Sequence, residues 1–493
     1  MRKMFHGRYW LLVSLFAIFW ALASAAVYWI IPSVIAAAYE GRSLSFLNNI
    51  LSGRGSVSLE AYLELWAQRS GAIPPAGILH MATICMIAFF RKKHRDPNIE
   101  SPISPSVGDL ALIFFAGAFL VLAALVGPRG DYFAYVREWV IVLEGGDPWS
   151  TTGNFNGFGP MFSWQTTDHF NAYGPLFNAL APVLWINPLA NKVLFAFSYV
   201  AFLCWLILDI GARRGLSPVS WPVVSFWLLN PFVWVEIVYY AHLDVLLALA
   251  CVVSVHGCLK RTEILSGISL ATGILLKYIP IVILPFLVIR HLRARWQLLA
   301  SCAATIFLGF SLSVWMWGTS TFAPMLFAAS RAPNGSVYDL LNQMFTPQTV
   351  PSLPLRSELE AANTDFVPLF CLAITGLGIF GWCAAKRTEP ALSAVLALLV
   401  TFLFYHVGYV NYEMILFLVA SYWAVLEWNN IKRDVLVQGS LIAHFGVLAA
   451  IDIAIVLGFV GYANYGTFFI ALKFLTGLIL LAALMRFSTR NSA

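Results

Sequence analysis

The residues best suited to chemistry stand in one short stretch, GPRGDYFAYVREWVIVLEGGDPW, from Gly127 to Trp149. It follows an apolar run (about Asp109 to Val126) and alternates apolar and polar residues in its middle, as an interfacial helix does. Only 11% of the whole chain is charged, yet this stretch contains Arg129, Asp131, Arg137, Glu138, Glu144 and Asp147. A carboxylate beside an arginine at the exit of a membrane helix suits work on a polar substrate. The alternative is an ordinary loop with interfacial charges.

The composition defines the class of protein. The chain has 493 residues, of which 60% are hydrophobic, and its mean hydropathy of +0.78 excludes a soluble globular protein. Charged residues make up only 11% of the chain, too few to build a nucleic-acid-binding surface, and the net charge of +6 lies in short clusters between apolar runs. The seven cysteines are scattered singly in apolar runs, which indicates packing rather than disulfides or metal binding. We therefore predict an all-α polytopic integral membrane protein.

The first hundred residues read as a pair of helices. The apolar run Tyr9–Ile31 is too long for a signal-peptide core, so we expect an uncleaved helix with its N-terminus in the cytoplasm. The run Pro74–Phe90 crosses back to the most basic segment of the chain, Arg91–Arg95. No chemistry is evident in this pair.

Further apolar runs predict the remaining crossings, at about 109–126, 190–210, 219–235, 243–259, 264–289, 297–317, 366–385, 391–405, 412–428, 438–462 and 467–485. The run 264–289 is interrupted by Lys277–Pro280, which predicts two short helices that meet the outer side at Lys277. The total is about 14 transmembrane helices with both chain ends inside. Residues 128–189 and 318–365 are then two long extracytoplasmic loops, and loops of that length are usually functional.

The side on which charges fall supports this topology. Every basic cluster falls on one side, as the positive-inside rule requires. Ionisable residues in helix centres cost roughly 2.5–3.5 kcal/mol on insertion scales, so their default roles are functional or paired. The opposite side receives Asp131, His169, Tyr173, Glu236, His242, Asp244, Lys277, Tyr278, His406 and Asn411. The sequence therefore predicts a polar site on the extracytoplasmic face.

The order of several motifs resembles a known superfamily. RGDY and GGDPW are followed by NAYGPLF, then by NP-x4-E-x5-H-x-D, and then, after a basic turn, by LLKYIP-x4-LP. This order is similar to the GT-C superfamily of membrane glycosyltransferases, over about residues 109–430. The resemblance is closest to the polyprenyl-phosphate-mannose-dependent α-mannosyltransferases of bacteria and more distant to the glycosylphosphatidylinositol mannosyltransferase I family.

The resemblance implies a GT-C type helical bundle whose extracytoplasmic loops form the site. Its parts would be an N-terminal helix pair and linker (1–107), a catalytic core (108–430) and a C-terminal helix pair (431–493). It also implies a polyprenyl-phosphate sugar as donor, a glycolipid or glycan as acceptor, contact with membrane lipid, and a place in the bacterial inner membrane with the site facing the periplasm. The resemblance favours mannose as the transferred sugar, ahead of arabinose, glucose and galactose.

The same resemblance assigns roles to residues. Asp131 matches the proposed catalytic base of the family. Some members have a second acidic residue two positions earlier, where this chain has Arg129, and this departure weakens the case for a bound metal. We therefore predict neither a metal nor a cofactor.

The chemistry of a lipid-phosphate sugar explains which other residues are needed. The donor already carries a good leaving group, so the enzyme must deprotonate an acceptor hydroxyl, with Asp131 as general base. It must also stabilise the charge that develops on the phosphate. The candidates for binding the donor phosphate are Arg129, His242, Lys277, Tyr278 and His406. The candidates for contacting acceptor or sugar are Tyr132, Asp147, His169, Tyr173, Glu236, Asp244 and Asn411.

Each candidate also has a structural alternative. Asp131 can form a salt bridge with Arg129 or Arg137, and Lys277 can snorkel to the outer interface. Asp147 lies between glycine and proline, which is typical of a turn. Several aromatic residues can simply form an interfacial belt: Tyr132, Trp139, Trp149, Trp164, Tyr173, Tyr239 and Tyr240.

The remaining polar candidates can pair with one another. His242 and His406 can be satisfied polar residues at helix ends, and Glu236 and Asp244 flank His242 closely enough in sequence to pair with it or with Lys277. At the level of the whole protein, a transporter or flippase of polyprenyl-linked sugars is the alternative, because intramembrane ionisable residues and proline-broken helices also occur there. We find no internal repeat relating two halves, and this favours the transferase.

Overall fold

The computed structural model describes residues 8–30, 59–94, 104–126, 131–149, 154–156, 163–165, 172–289, 295–325, 334–345, 366–405, 407–461 and 466–491. The predicted all-α fold is confirmed. The described residues also contain a small antiparallel hairpin, β1 (Asn154–Asn156) with β2 (Ser163–Gln165). Three predicted site residues, Arg129, His169 and His406, lie outside the described residues.

The helices follow the apolar runs of the sequence. The first half contains α1 (Arg8–Ala25), α2 (Leu59–Lys93), α3 (Val107–Leu125), α4 (Asp131–Leu143), α5 (Ala190–Trp205), α6 (Pro231–Val233), α7 (Asp244–Leu259) and α8 (Glu263–Leu276). The second half contains α9 (Leu284–Val288), α10 (Trp296–Trp317), α11 (Val337–Phe345), α12 (Phe366–Lys386), α13 (Pro390–Phe404), α14 (Glu413–Leu426), α15 (Trp428–Ile431), α16 (Val435–Val456) and α17 (Gly466–Asn491). Tighter 3-10 segments include Pro175–Trp185, Ile279–Ile283 and Val410–Tyr412, and wider π-helical segments include Leu206–Gly211, Val223–Leu228 and Trp234–Tyr239.

The predicted number of 14 membrane-spanning helices is not confirmed. Among the described residues, eight helices are long and apolar enough to cross a membrane, or nine if Val223–Tyr239 and Asp244–Leu259 form one broken span. Five further apolar helices have only 10–17 residues, whereas a span needs about 20. The apolar runs were located correctly, but prolines and π-helical or 3-10 turns divide several of them into shorter pieces. The break at Lys277 was predicted, and α8 ends there.

The chain forms two compact units. The first contains residues 1–148, 152–167 and 180–242, and the second contains residues 149–151, 168–179 and 243–493. The three-part division suggested by the resemblance, at 107 and 430, stays a prediction.

In the first unit, Asp109 joins the ends of three helices. The side chain is 1% exposed and accepts hydrogen bonds from Tyr9 Oη at 3.0 Å and Arg91 Nε at 2.8 Å. Ser106 and Asp109 also form a capping box at the start of α3. Since a buried charge is tolerated when it is paired and hydrogen-bonded, these contacts hold α1, α2 and α3 in register.

A second acidic residue of the first unit, Asp209, binds basic side chains from the ends of two helices. Asp209, at the end of the helix that begins with α5, accepts from Lys93 at 2.9 Å, from His94 at 2.8 Å and from Arg213 at 2.8 Å. The basic ends of two predicted crossings therefore lie together, as the positive-inside rule predicts for helices that end on one side.

The second unit is built around α13 and α14. All residues from Pro390 to Leu403 and from Glu413 to Val425 are buried, so both helices are enclosed by protein on every face. Their near-continuous apolar sequences reflect this position.

The second unit also separates its basic turns from its predicted site. At one end, Arg295 donates to Glu263 at 2.6 Å and to the Cys258 carbonyl at 2.9 Å, next to the basic turn between α7 and α8. The opposite ends of these helices are Asp244, where α7 begins, and Lys277, which follows α8. With a rise of 1.5 Å per residue, these ends lie about 20–24 Å from the basic turn.

Candidate functional site

The first candidate cluster contains Asp131, His242 and Glu236, all within the first unit. His242 Nε2 lies 3.9 Å from Asp131 Oδ2, and the Nδ1–H on the opposite side of the ring donates to the Glu236 carboxylate. The His242 backbone N–H also donates to the Glu236 carbonyl at 2.9 Å. Glu236 is fully buried and the His242 side chain is 1% exposed, whereas the Asp131 side chain is 42% exposed. The cluster thus presents one accessible carboxylate in front of a buried imidazole and carboxylate.

This arrangement has a clear chemical consequence. A carboxylate that accepts from one ring nitrogen fixes the tautomer and the orientation of an imidazole. Glu236 therefore directs Nε2 of His242 toward Asp131. At 3.9 Å the two atoms are too far apart for a hydrogen bond, but close enough for an electrostatic interaction when His242 is protonated.

Local backbone features place the three residues. Asp131 is the first residue of α4, where the helix dipole favours a negative charge. Ala241, immediately before His242, has a φ of +59°, a left-handed conformation that is uncommon for residues other than glycine. The His242 ring stacks on the Tyr240 ring, with ring centroids 5.4 Å apart.

Other charged residues of the opening stretch have structural surroundings. Arg137 Nη2 donates to Glu138 Oε1 at 3.3 Å, and both side chains are buried. Burial lowers the pKa of Arg137 from its usual value, and Glu138 opposes this shift. Tyr132 is fully buried, and its hydroxyl donates to the Pro188 carbonyl at 2.9 Å, which favours a packing role for this residue.

Asp147 follows the end of α4. The N–H of Gly145 donates to the Val142 carbonyl and that of Gly146 to the Ile141 carbonyl, at 3.1 and 2.8 Å, and Gly145 has a φ of +79°. This is a Schellman motif, which ends helices. Asp147 comes directly after this motif, and its role as a turn residue stays a prediction.

The second candidate cluster surrounds Lys277 within the second unit. Lys277 Nζ donates to Asp244 Oδ1 at 2.9 Å, and Asn411 Nδ2 donates to Asp244 Oδ2 at 3.2 Å. Lys277 is 7% exposed, Asp244 is fully buried and Asn411 is 1% exposed. Lys277 is therefore held in a buried ion pair, whereas the alternative from the sequence was a lysine that snorkels to the interface. Asp244 pairs with Lys277, and Glu236 pairs with His242. The sequence analysis gave such pairing as the alternative to substrate contact for both carboxylates.

Aromatic rings complete the surroundings of Lys277. Its ammonium lies 4.0 Å from the centroid of the Tyr412 ring and 5.6 Å from that of Tyr173. Both are cation–π distances, which stabilise a positive charge away from water. The sequence analysis did not include Tyr412 among the candidate site residues. Its position next to the candidate Asn411, in the motif YHVGYVNY, could have indicated it.

A close backbone approach brings Tyr173 to Lys277. The Gly174 N–H donates to the Leu276 carbonyl at 2.9 Å. A Cβ atom at Gly174 would lie 2.3 Å from the Leu275 carbonyl oxygen, so a larger residue does not fit without a backbone shift. The glycine of the NAYGP motif thus explains how this segment reaches the end of α8.

A cavity of about 200 Å³ opens beside the Lys277 cluster. Its polar lining comes from Lys277, Tyr278, Thr401, Tyr405 and Tyr412, and the remaining lining is mostly apolar. The Tyr278 hydroxyl is buried and makes no hydrogen bond to the described residues. A cavity with one cation and several hydroxyl groups is suited to an anionic, oxygen-rich ligand.

Metal binding has no evident site in this part of the chain. Among the described residues, no group of three or more His, Cys, Asp or Glu side chains is arranged to hold a metal ion.

Most of the candidate site residues lie in a segment that matches a known protein family. Residues 171–408 match the model of glycosyltransferase family 87, which is a GT-C-type family of membrane glycosyltransferases. The matched segment includes Tyr173, Glu236, His242, Asp244 and Lys277, whereas Asp131 precedes it. No curated protein matches the chain at a significant level.

Proposed function

We propose, from the match of residues 171–408 to a GT-C-type family of membrane glycosyltransferases, that this chain is a transferase of that type and that its donor is a polyprenyl-phosphate sugar. The sugar, which we take to be mannose, passes to a lipid-linked or glycan acceptor. The reaction takes place on the extracytoplasmic face of a bacterial inner membrane. Neither a metal nor a cofactor is part of this proposal.

In the proposed reaction, Asp131 accepts the proton of an acceptor hydroxyl. The acceptor oxygen bonds to the anomeric carbon of the donor, and the bond between that carbon and the phosphate oxygen breaks. The electron pair leaves with the polyprenyl phosphate. A general base contributes typically 10²–10⁴-fold to such a rate, and a cation near the leaving phosphate lowers the barrier further.

The observation that carries the proposal is the surroundings of Asp131. It is an accessible carboxylate with the oriented His242 ring 3.9 Å away, and a base needs this exposure to reach an acceptor. We assign His242 to Asp131 as its electrostatic partner, where the sequence suggested a contact to the donor phosphate.

The surroundings of Lys277 support an anionic donor. Lys277 lines the cavity of about 200 Å³ together with Tyr278 and Tyr412. Its partner Asp244 holds the ammonium in place. We propose that the donor phosphate approaches this lysine from the cavity and that the Tyr278 hydroxyl donates to it.

Purified protein in liposomes tests the proposal directly. The liposomes contain a polyprenyl-phosphate sugar labelled in the sugar, and the acceptor is a lipid-linked mannoside. Transfer is detected as free polyprenyl phosphate together with label in the acceptor, and parallel donors with arabinose, glucose and galactose rank the sugars. Label that stays on the donor but changes leaflet would identify a flippase and contradict the proposal.

A further inference from the structure

The short segment Val407–Tyr412, between α13 and α14, carries two residues of the Lys277 cluster. Asn411 donates to Asp244 at 3.2 Å, and the ring of Tyr412 lies 4.0 Å from the Lys277 ammonium. Any displacement of this segment therefore changes the surroundings of Lys277.

The start of the same segment is anchored at Gly408. Its N–H donates to the Asn334 carbonyl at 2.8 Å, and its own carbonyl accepts from Lys473 Nζ. A Cβ atom at position 408 would lie 2.5 Å from the Gly335 carbonyl oxygen and 3.1 Å from Lys473 Nζ. The chain thus leaves room for glycine alone at the point where Lys473 reaches the segment.

Lys473 belongs to a buried charged group that the proposed chemistry does not use. Its ammonium lies 3.7 Å from Glu413 Oε1, and Glu413 Oε2 lies 3.7 Å from His444 Nε2. Lys473 is 4% exposed, Glu413 2% and His444 0%. These three residues, which we call the Lys473 cluster, join α14, α16 and α17.

Such a cluster is costly to keep. Ionisable residues inside membrane helices are expensive, and they generally mark function. Replacing a buried ion pair with apolar residues is often neutral or stabilising, so packing alone does not account for Lys473. An apolar side chain, however, cannot donate to the Gly408 carbonyl.

We propose that Lys473 is a positioning residue for the transferase site. It holds the Gly408 carbonyl and thereby fixes Asn411 and Tyr412 around Lys277, while the Glu413 carboxylate balances its charge. The C-terminal helix pair α16–α17 is then part of the support of the site. This inference rests on the proposed function for its effect on catalysis, but the anchoring of the segment does not depend on it.

The test compares Lys473→Met with a matched packing variant, Ile470→Ala. Ile470 is fully buried on the same helix, one turn before Lys473. Hydrogen exchange of residues 407–412 is measured by mass spectrometry, and donor KM and kcat are measured by transfer. A lost hydrogen bond from a charged donor corresponds to roughly 10- to 100-fold, and we expect faster exchange and weaker donor use of that order in Lys473→Met alone. Lys473→Arg, which keeps a charged donor, should recover part of both.

Two further variants separate anchoring from general stability. In Lys473→Met/Glu413→Gln both charges of the pair are removed, so thermal stability should recover while exchange at 407–412 stays fast. Gly408→Ala disturbs the same contact from the segment side and should reproduce the donor defect without changing the buried charges.

The outcomes decide the two proposals separately. Unchanged exchange at 407–412 in Lys473→Met, or an equal change in Ile470→Ala, would overturn the positioning role. If the wild-type protein shows no transfer, the proposed function fails, and the exchange measurement still decides whether Lys473 anchors the segment.

Discussion

Asp131 is the residue whose replacement should separate chemistry from donor binding. Asp131→Asn keeps the size of the side chain but removes its basicity, so transfer should fall by about 10²–10⁴-fold while donor affinity stays near that of the wild type. Single-turnover transfer and equilibrium donor binding measure the two effects. Asp147→Asn is the control, because Asp147 follows the turn that ends α4, and it should keep substantial activity. Near-wild-type turnover of Asp131→Asn would place the base elsewhere.

Lys277 is expected to affect use of the donor. In Lys277→Ala the cation is lost and Asp244 is left buried without its charge partner, which costs about 3–5 kcal/mol. Donor KM should rise strongly, and thermal stability should fall with it.

A double variant distinguishes these two effects of Lys277. Lys277→Ala/Asp244→Asn removes both charges, so stability should return while donor use stays poor. Recovery of donor affinity in the double variant would show that Lys277 serves the fold rather than the phosphate.

Among the secondary-structure elements, the end of α8 depends on the approach of a neighbouring segment. Gly174 brings Tyr173 to Lys277, and a Cβ at this position would lie 2.3 Å from a backbone oxygen. In Gly174→Ala the segment must move away, and a displacement of about 1 Å near a site can cost roughly 100-fold in rate. The transfer assay measures this loss.

A glycine in open space gives the matched control for Gly174. A Cβ added at Gly378, within α12, would meet no atom within 4 Å apart from its chain neighbours and the backbone of its own helix, and alanine is favoured over glycine in a helix by about 1 kcal/mol. Gly378→Ala should leave transfer unchanged and raise thermal stability slightly. Equal losses in both variants would show that the close approach at Gly174 is unimportant.

The distribution of charge over the whole molecule leads to a prediction about sidedness. Lys93, His94 and Arg213 meet at Asp209, and Arg486 and Arg490 meet at Asp434, so basic helix ends collect together within each unit. The positive-inside rule assigns these ends to the cytoplasm. The candidate residues Asp131, Asp244 and Lys277 should then face the outside.

Cysteine labelling tests this sidedness. A membrane-impermeant maleimide added to intact cells should label Ser163→Cys but not Lys92→Cys, both introduced into a variant without its native cysteines. Lys92→Cys should react only after the membrane is permeabilised. The reverse pattern would overturn the topology and with it the outward-facing site.

The sequence by itself determined the class of the protein, the positions of its helices and the break at Lys277. Membrane insertion is governed by the summed apolarity of local stretches and by flanking charges, which can be read along a single chain. Proline likewise interrupts a helix where it stands, because it lacks the backbone N–H and clashes with the preceding turn. The number of spans was harder to predict, because a long apolar run does not reveal where tighter or wider turns will divide it.

Only the tertiary structure decided which candidates lie together. Asp244 and Lys277 are 33 positions apart, and Asn411 and Asp244 are 167 positions apart. The roles of Tyr412 and Lys473 likewise depend on contacts with distant segments. A buried polar group must find a partner wherever packing brings one, and packing is a property of the whole fold. For this reason the sequence analysis assigned His242 to the donor phosphate, whereas in the structure its ring lies beside Asp131.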